Sequence, residues 1–179
     1  MRMTKKHATL SLATTASLIA GVALWPSVAL ANPDEDGHSD GVVLEGSFVS
    51  ERDAEAFIDN DGNKLPSVGD ELIYTNTTTG TLGNSTDYGR CVFHRVDPSA
   101  DSATLSCTVS SEGAHGLVTL QGPVRVGLTA PDLLEPAAWA ITGGTGDFSG
   151  AEGELHITRF EGAGLDSRSF GTVRVVLDR

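Results

Sequence analysis

Beyond residue 40, apolar and polar residues alternate one by one over much of the chain. Ala103, Leu105, Cys107 and Val109 are separated by Thr104, Ser106 and Thr108. Ala151, Gly153, Leu155 and Ile157 are interleaved with Glu152, Glu154, His156 and Thr158. A period of two places such sets on opposite faces of a β-strand. Eight runs predict eight strands: Val42 to Ser50, Glu71 to Thr79, Tyr88 to Val96, Ala103 to Ser110, Gly116 to Val126, Ala138 to Thr142, Glu152 to Phe160 and Phe170 to Leu177. Gly, Pro, Asn and Asp punctuate nearly every gap. Glu51 to Ile58 and Ala130 to Leu134 show no such alternation, and each has room for a helical turn. The pattern predicts an all-β domain, an eight-stranded antiparallel β-barrel, with an open sandwich as the competing architecture.

The first 40 residues read differently. Arg2, Lys5 and Lys6 precede an apolar and small-residue run from Ala8 to about Val28, which ends in Ala29-Leu30-Ala31. This is the layout of a signal peptide (1–31) cleaved after Ala31, and no twin-Arg pair precedes the run, so the general secretory route is expected. The competing reading, a membrane anchor, is disfavoured by Pro26 and the Ser and Thr residues within the run. Residues 32–40, rich in Asp and Glu and poor in apolar residues, predict a disordered acidic lead-in. The barrel domain then spans 41–179, and the protein is expected outside the cell.

Composition narrows the partners. The chain carries a net charge of −12; losing Arg2, Lys5 and Lys6 with the leader makes it −15. Such a surface repels phosphate backbones and anionic headgroups, so neither nucleic acid nor a membrane surface is an expected partner. Cys91 and Cys107 are the two cysteines, and in an exported chain an even pair predicts a disulfide. Asp97-Pro98-Ser99-Ala100-Asp101 is rich in turn formers. A hairpin centred on Ser99 sets Cys91 opposite Cys107, with Cβ atoms about 4.5–5.5 Å apart, within reach of a bridge in a twisted ribbon. His94, His115 and His156 form no spaced ligand set, so no metal is expected.

Four segments, in order, resemble the allene oxide cyclase family. Gly69-Asp70-Glu71-Leu72-Ile73-Tyr74-Thr75-Asn76 is similar to its G-D-x-x-x-Phe/Tyr-T-N segment, and Gly89-Arg90-Cys91-Val92-Phe93 to its G-x-C-V-x strand. Gly116 to Pro123 is similar to G-x-L-x-x-Q-G-P, with Leu117 offset by one, and Ala140 to Gly153 to A-I-T-G-G-x-G-x-Phe/Tyr-x-G-A-x-G. Dirigent proteins share this barrel and a similar Gly-rich turn, but usually carry Arg in A-R-G where this chain has Ala151-Glu152-Gly153. Taken alone, Gly143, Gly144 and Gly146 read as positive-φ turn residues at a barrel corner rather than a phosphate loop, because a strand and not a helix follows them.

The resemblance implies a cofactor-free isomerase or cyclase that closes an apolar, fatty-acid or polyketide-like substrate inside the barrel, supplying shape, exclusion of water and a few polar groups. It implies two catalytic residues: Asn76, holding a water on the developing oxyanion, and a first-strand carboxylate, for which Glu45 is preferred over Glu51. Tyr74, Tyr88 and Trp139 are expected to shape the lumen, Cys91 and Cys107 to staple the hairpin, and three copies to assemble as a homotrimer. Two other function classes stay open. One is a non-catalytic extracellular barrel that binds an apolar ligand or is purely structural; the other is a dirigent-like guide for radicals made elsewhere. A polar cluster inside the lumen favours catalysis, and a uniformly apolar lumen favours binding.

Overall fold

The computed structural model describes residues 41–130 and 132–178. The expected leader and lead-in, residues 1–40, lie outside the described residues. Eight antiparallel strands follow one another around a closed barrel: β1 (Val42–Ile58), β2 (Glu71–Gly80), β3 (Gly83–Asp97), β4 (Ser102–Gly113), β5 (Gly116–Gly127), β6 (Ala137–Gly144), β7 (Glu152–Glu161) and β8 (Arg168–Leu177). Closure removes both free sheet edges, which an open sandwich would leave exposed. The seam is β1 itself. Val42–Glu51 pairs with β8 and Phe48–Ile58 with β2, so one long strand serves both neighbours.

The period-two pattern sets the inside and outside. Leu105, Cys107 and Val109 on β4, Trp139 and Ile141 on β6, and Ile157 on β7 are buried inside with Leu120, Val124 and Val175. Four bulges break the alternation, each inserting one unpaired residue: Asp53 in β1, His94 in β3, Thr142 in β6 and Thr158 in β7. Bulges bend a strand and raise its twist, as closure requires.

The structure corrects both segments that had room for a helical turn. Glu51 to Ile58 is the second half of β1, bulged at Asp53. Ala130 to Leu134 forms no helical turn among its described residues; Leu133 instead bridges Val126, and the Gly127 amide donates to the Asp132 carbonyl at 3.1 Å. The Gly-rich turn after β6 wraps into one short 3₁₀ segment, Gly146–Phe148. Gly146 has φ 64°, and a Cβ there would press on the His115 carbonyl, so glycine is required for both conformation and space.

Candidate functional site

The interior holds a cavity of about 840 Å³ that opens to the outside, within the range of small-molecule sites. Its wall is divided. From β5 to β8 it is mainly apolar: Leu120, Val124, Trp139, Leu155, Ile157, Phe160, Val173 and Val175 line it, with Arg168 and Ser169 at the start of β8. From β1 to β4 it carries a polar row. Arg52 on β1 lies directly opposite Asn76 on β2, Asn76 opposite Asp87 on β3, and Asp87 opposite Ser111 on β4. All four line the cavity.

The row is bound together unevenly. Asp87 accepts three hydroxyl hydrogen bonds, from Thr78 Oγ1 at 2.5 Å, Ser111 Oγ at 2.7 Å and Ser85 Oγ at 3.1 Å. An ionised carboxylate is acceptor-only, and three donors suit that state. Asn76 donates through Nδ2 to Ser50 Oγ at 2.9 Å. Its Oδ1 and the Nε of Arg52 are buried without a hydrogen-bond partner. One is an acceptor and the other a donor, on directly opposed residues.

Arg52 pairs with Glu55 at 2.6 Å, and its guanidinium sits 4.1 Å from the centre of the Tyr74 ring. Burial holds the Arg52 guanidinium below its ordinary value, and Glu55 and Tyr74 act against that shift. Tyr74 is pushed up to about 12, chiefly by burial of its phenol; Arg52 opposes the shift and Asp87 adds to it.

Two glycines make room for the aromatic wall. Gly89 lies opposite Tyr74, and a Cβ there would overlap the Tyr74 ring. A Cβ at Gly122 would overlap the indole of Trp139, whose Nε1 donates to the Pro123 carbonyl at 2.8 Å.

Among the residues expected from sequence, Tyr74, Asn76, Trp139, Cys91 and Cys107 line the cavity. Cys91 and Cys107 form the expected disulfide, directly opposed across β3 and β4 with Cα atoms 4.0 Å apart. Two expectations are corrected. Glu45 faces outward, its side chain 70% exposed and paired with Arg174 at 3.4 Å. It is odd-numbered on a strand whose even residues, Phe48, Ser50 and Arg52, line the cavity. Tyr88 also points outward, 52% exposed, because Asp87, Gly89 and Cys91 take the inner positions of β3.

The first-strand carboxylate that lines the cavity is Glu55. The bulge at Asp53 reverses the parity of β1, a shift that alternation alone does not reveal. Arg52, Asp87 and Ser111 were also missed. A lumen-facing Asp on a strand has the same local sequence appearance as an exposed one.

Asp59, Asp61 and Asp70 bring carboxylate oxygens within 4.8 Å of one another in the β1–β2 loop, a grouping absent from the histidine-based reading of metal ligands. Their oxygens are engaged within the loop. Asp59 accepts from the Gly62 and Lys64 amides at 2.7 Å each; the fully buried Asp70 accepts from the Asn60 and Ser67 amides at 2.8 Å each. This fixes the entry into β2.

No family model and no curated protein matches the chain. Solved structures do. A pyocyanin demethylase is 25% identical, with a TM-score of 0.55, covering 74% of this chain and 99% of its own. Two pterocarpan synthase dirigent proteins are 16% and 14% identical, with TM-scores of 0.53 and 0.55; they cover 83% and 79% of this chain and 96% and 98% of theirs. These likenesses agree with the topology on the fold: the chain is a closed eight-stranded antiparallel barrel of the dirigent-like type.

Proposed function

We propose that this barrel takes one largely apolar small molecule into its lumen and converts it without a cofactor, with the molecule's polar group held at the Arg52–Asn76–Asp87 row. The observation that carries the reading is the unpaired donor Arg52 Nε beside the unpaired acceptor Asn76 Oδ1. An unsatisfied buried polar atom costs about 1–3 kcal/mol, so a ligand or water that pairs with both is stabilised there. The apolar wall contributes about 0.8 kcal/mol per buried CH₂ of the ligand body.

A polar row facing a mainly apolar wall favours catalysis over storage. An intramolecular isomerisation or cyclisation suits it, since such a reaction needs positioning, exclusion of water and stabilised charge, and no second substrate. Because Oδ1 of Asn76 is left unpaired while Nδ2 donates to Ser50, its lumen role is as an acceptor; a water that donates one hydrogen to Oδ1 has its other hydrogen for a developing oxyanion. Glu45 takes no part, and the carboxylate role passes to Glu55 or Asp87. The pyocyanin demethylase, an enzyme named for a small-molecule substrate, supports chemistry in a barrel of this shape.

The protein works outside the cell in this reading, exported with cleavage after Ala31; the basic start, the small-residue site and the disulfide support it. It assembles as a homotrimer, for which the exposed apolar pair Ile73 and Tyr88, on adjacent outer strands, supplies contact surface.

The test is titration with the neutral probe N-phenyl-1-naphthylamine, followed by mass spectrometry of a small-molecule library incubated with wild type and Asn76→Ala. Saturable one-site binding, with an isomeric product formed by wild type alone, is expected. Absence of saturable binding overturns the lumen reading; product formation unaffected by Asn76→Ala overturns the role of Asn76.

A further inference from the structure

The charged groups of the cavity wall are not all paired. Its wall carries Arg52, Glu55, Asp87 and Arg168, with His115 at one end. Arg52 is held by Glu55 at 2.6 Å, and Arg168 by Glu51 at 2.9 Å. His115 stands 3.3 Å from Asp147. Asp87 has hydroxyl partners only: Thr78, Ser85 and Ser111, and no Lys or Arg among the described residues pairs with it. One carboxylate is therefore left in the wall without a counter-charge.

On these grounds, and building on the lumen-binding reading above, we infer that the ligand is a flat, mostly apolar molecule bearing a positive charge, and that Asp87 is its counter-ion. A buried or half-buried charge is retained where something pairs with it. The three hydroxyls orient the carboxylate but leave its charge in place, so a cation gains a charge-assisted contact without displacing a protein partner. An anion meets the opposite situation, because the positive charge of Arg52 is already taken by Glu55 and by the Tyr74 face. The acidic exterior, with a chain charge of −12, raises the local concentration of cations near the barrel. Flatness follows from the wall: the Trp139 ring, seated over Gly122, lines the cavity, and aromatic faces favour planar and cationic partners. This replaces the fatty-acid class implied by the family resemblance with a cationic aromatic one.

Three tricyclic probes of nearly equal shape separate the charges at pH 8: 10-methylacridinium (cation), phenazine (neutral) and acridine-9-carboxylate (anion). Isothermal titration of the full chain is expected to give the cation an affinity at least about tenfold above phenazine, with the anion weakest. In Asp87→Asn, a near-isosteric change, the cation's advantage over phenazine is expected to shrink to within about twofold. Equal binding of cation and neutral probe by the wild type overturns the inference without any variant. A cation preference that survives Asp87→Asn also overturns it, since the preference then comes from the acidic exterior. Binding of none of the three removes the lumen reading itself, an outcome distinct from binding without charge preference.

Discussion

Cys91 lies directly opposite Cys107 because His94 is bulged out of the ladder between them and the hairpin end. Near the turn, Asp97 pairs with Ser102 and Arg95 with Thr104; past the bulge, Phe93 pairs with Leu105 and Cys91 with Cys107. Without the extra residue the register would carry Cys91 to Thr108, whose side chain faces the other side of the sheet. The bulge sends both His94 and Arg95 outward and keeps Phe93 inside.

Loss of this staple is expected to lower stability by about 3 kcal/mol for a loop of this length. Urea unfolding of wild type against the double variant Cys91→Ser/Cys107→Ser measures it. A difference below about 1 kcal/mol would show that the barrel restrains the hairpin without the bridge. Exported, unreduced protein is expected to show no free thiol on labelling.

Gly89→Ala is expected to destabilise the barrel by about 1–3 kcal/mol, because the added methyl has to displace the Tyr74 ring. The double variant Gly89→Ala/Tyr74→Ala separates this from a loss of backbone freedom. If the ring is the obstacle, the two changes cost less together than the sum of the singles. Strict additivity would refute it.

Tyr74 makes alkaline stability pH-dependent. Its folded value, about 12, lies above the ordinary 10.0, so the native state holds its phenolic proton more tightly than the unfolded chain. The resulting stability is complete below pH 10 and is lost as pH rises towards about 12. Two pH units correspond to about 2–3 kcal/mol at most. Chemical denaturation across this window is expected to fall more steeply in wild type than in Tyr74→Phe. Parallel curves would place the titration elsewhere.

Tyr88 and Ile73 sit diagonally on the outer faces of β3 and β2, since Thr75 pairs with Tyr88 and Ile73 with Arg90. For a homotrimer, Tyr88→Glu is expected to give a single-chain mass by light scattering with N-phenyl-1-naphthylamine binding unchanged, because the lumen lies on the other face. A wild-type protein that already has one chain's mass at micromolar concentration would refute the assembly.

Much of the fold was legible because alternation is a local signal, and each strand carries its own copy of it. The disulfide was legible by a fortunate route. A hairpin centred on Ser99 gives the right pair, although the observed turn is centred between Ser99 and Ala100 and the bulge at His94 restores the register. The site was less legible for the same underlying reason. Glu45 and Glu55 look alike as strand glutamates, and only the bulge at Asp53 decides which one reaches the cavity. Tyr88 shows the limit of reasoning from residue type: as a large aromatic it was assigned inward, yet its parity with Arg90 puts it outside. The polar row depends on register across four strands, which no local pattern encodes.

The double duty of β1 has a consequence for how the chain reaches its native state. Val42 pairs with Leu177, so the seam joins residues more than 130 positions apart, and it cannot form until β8 is in place. Contacts of such sequence separation are slow to form. Until then Val42–Glu51, apolar on one side and able to pair with any extended partner, is an open edge. As the chain is made, this edge is present before its mate arrives, which makes the interval before closure the period when self-association competes with folding.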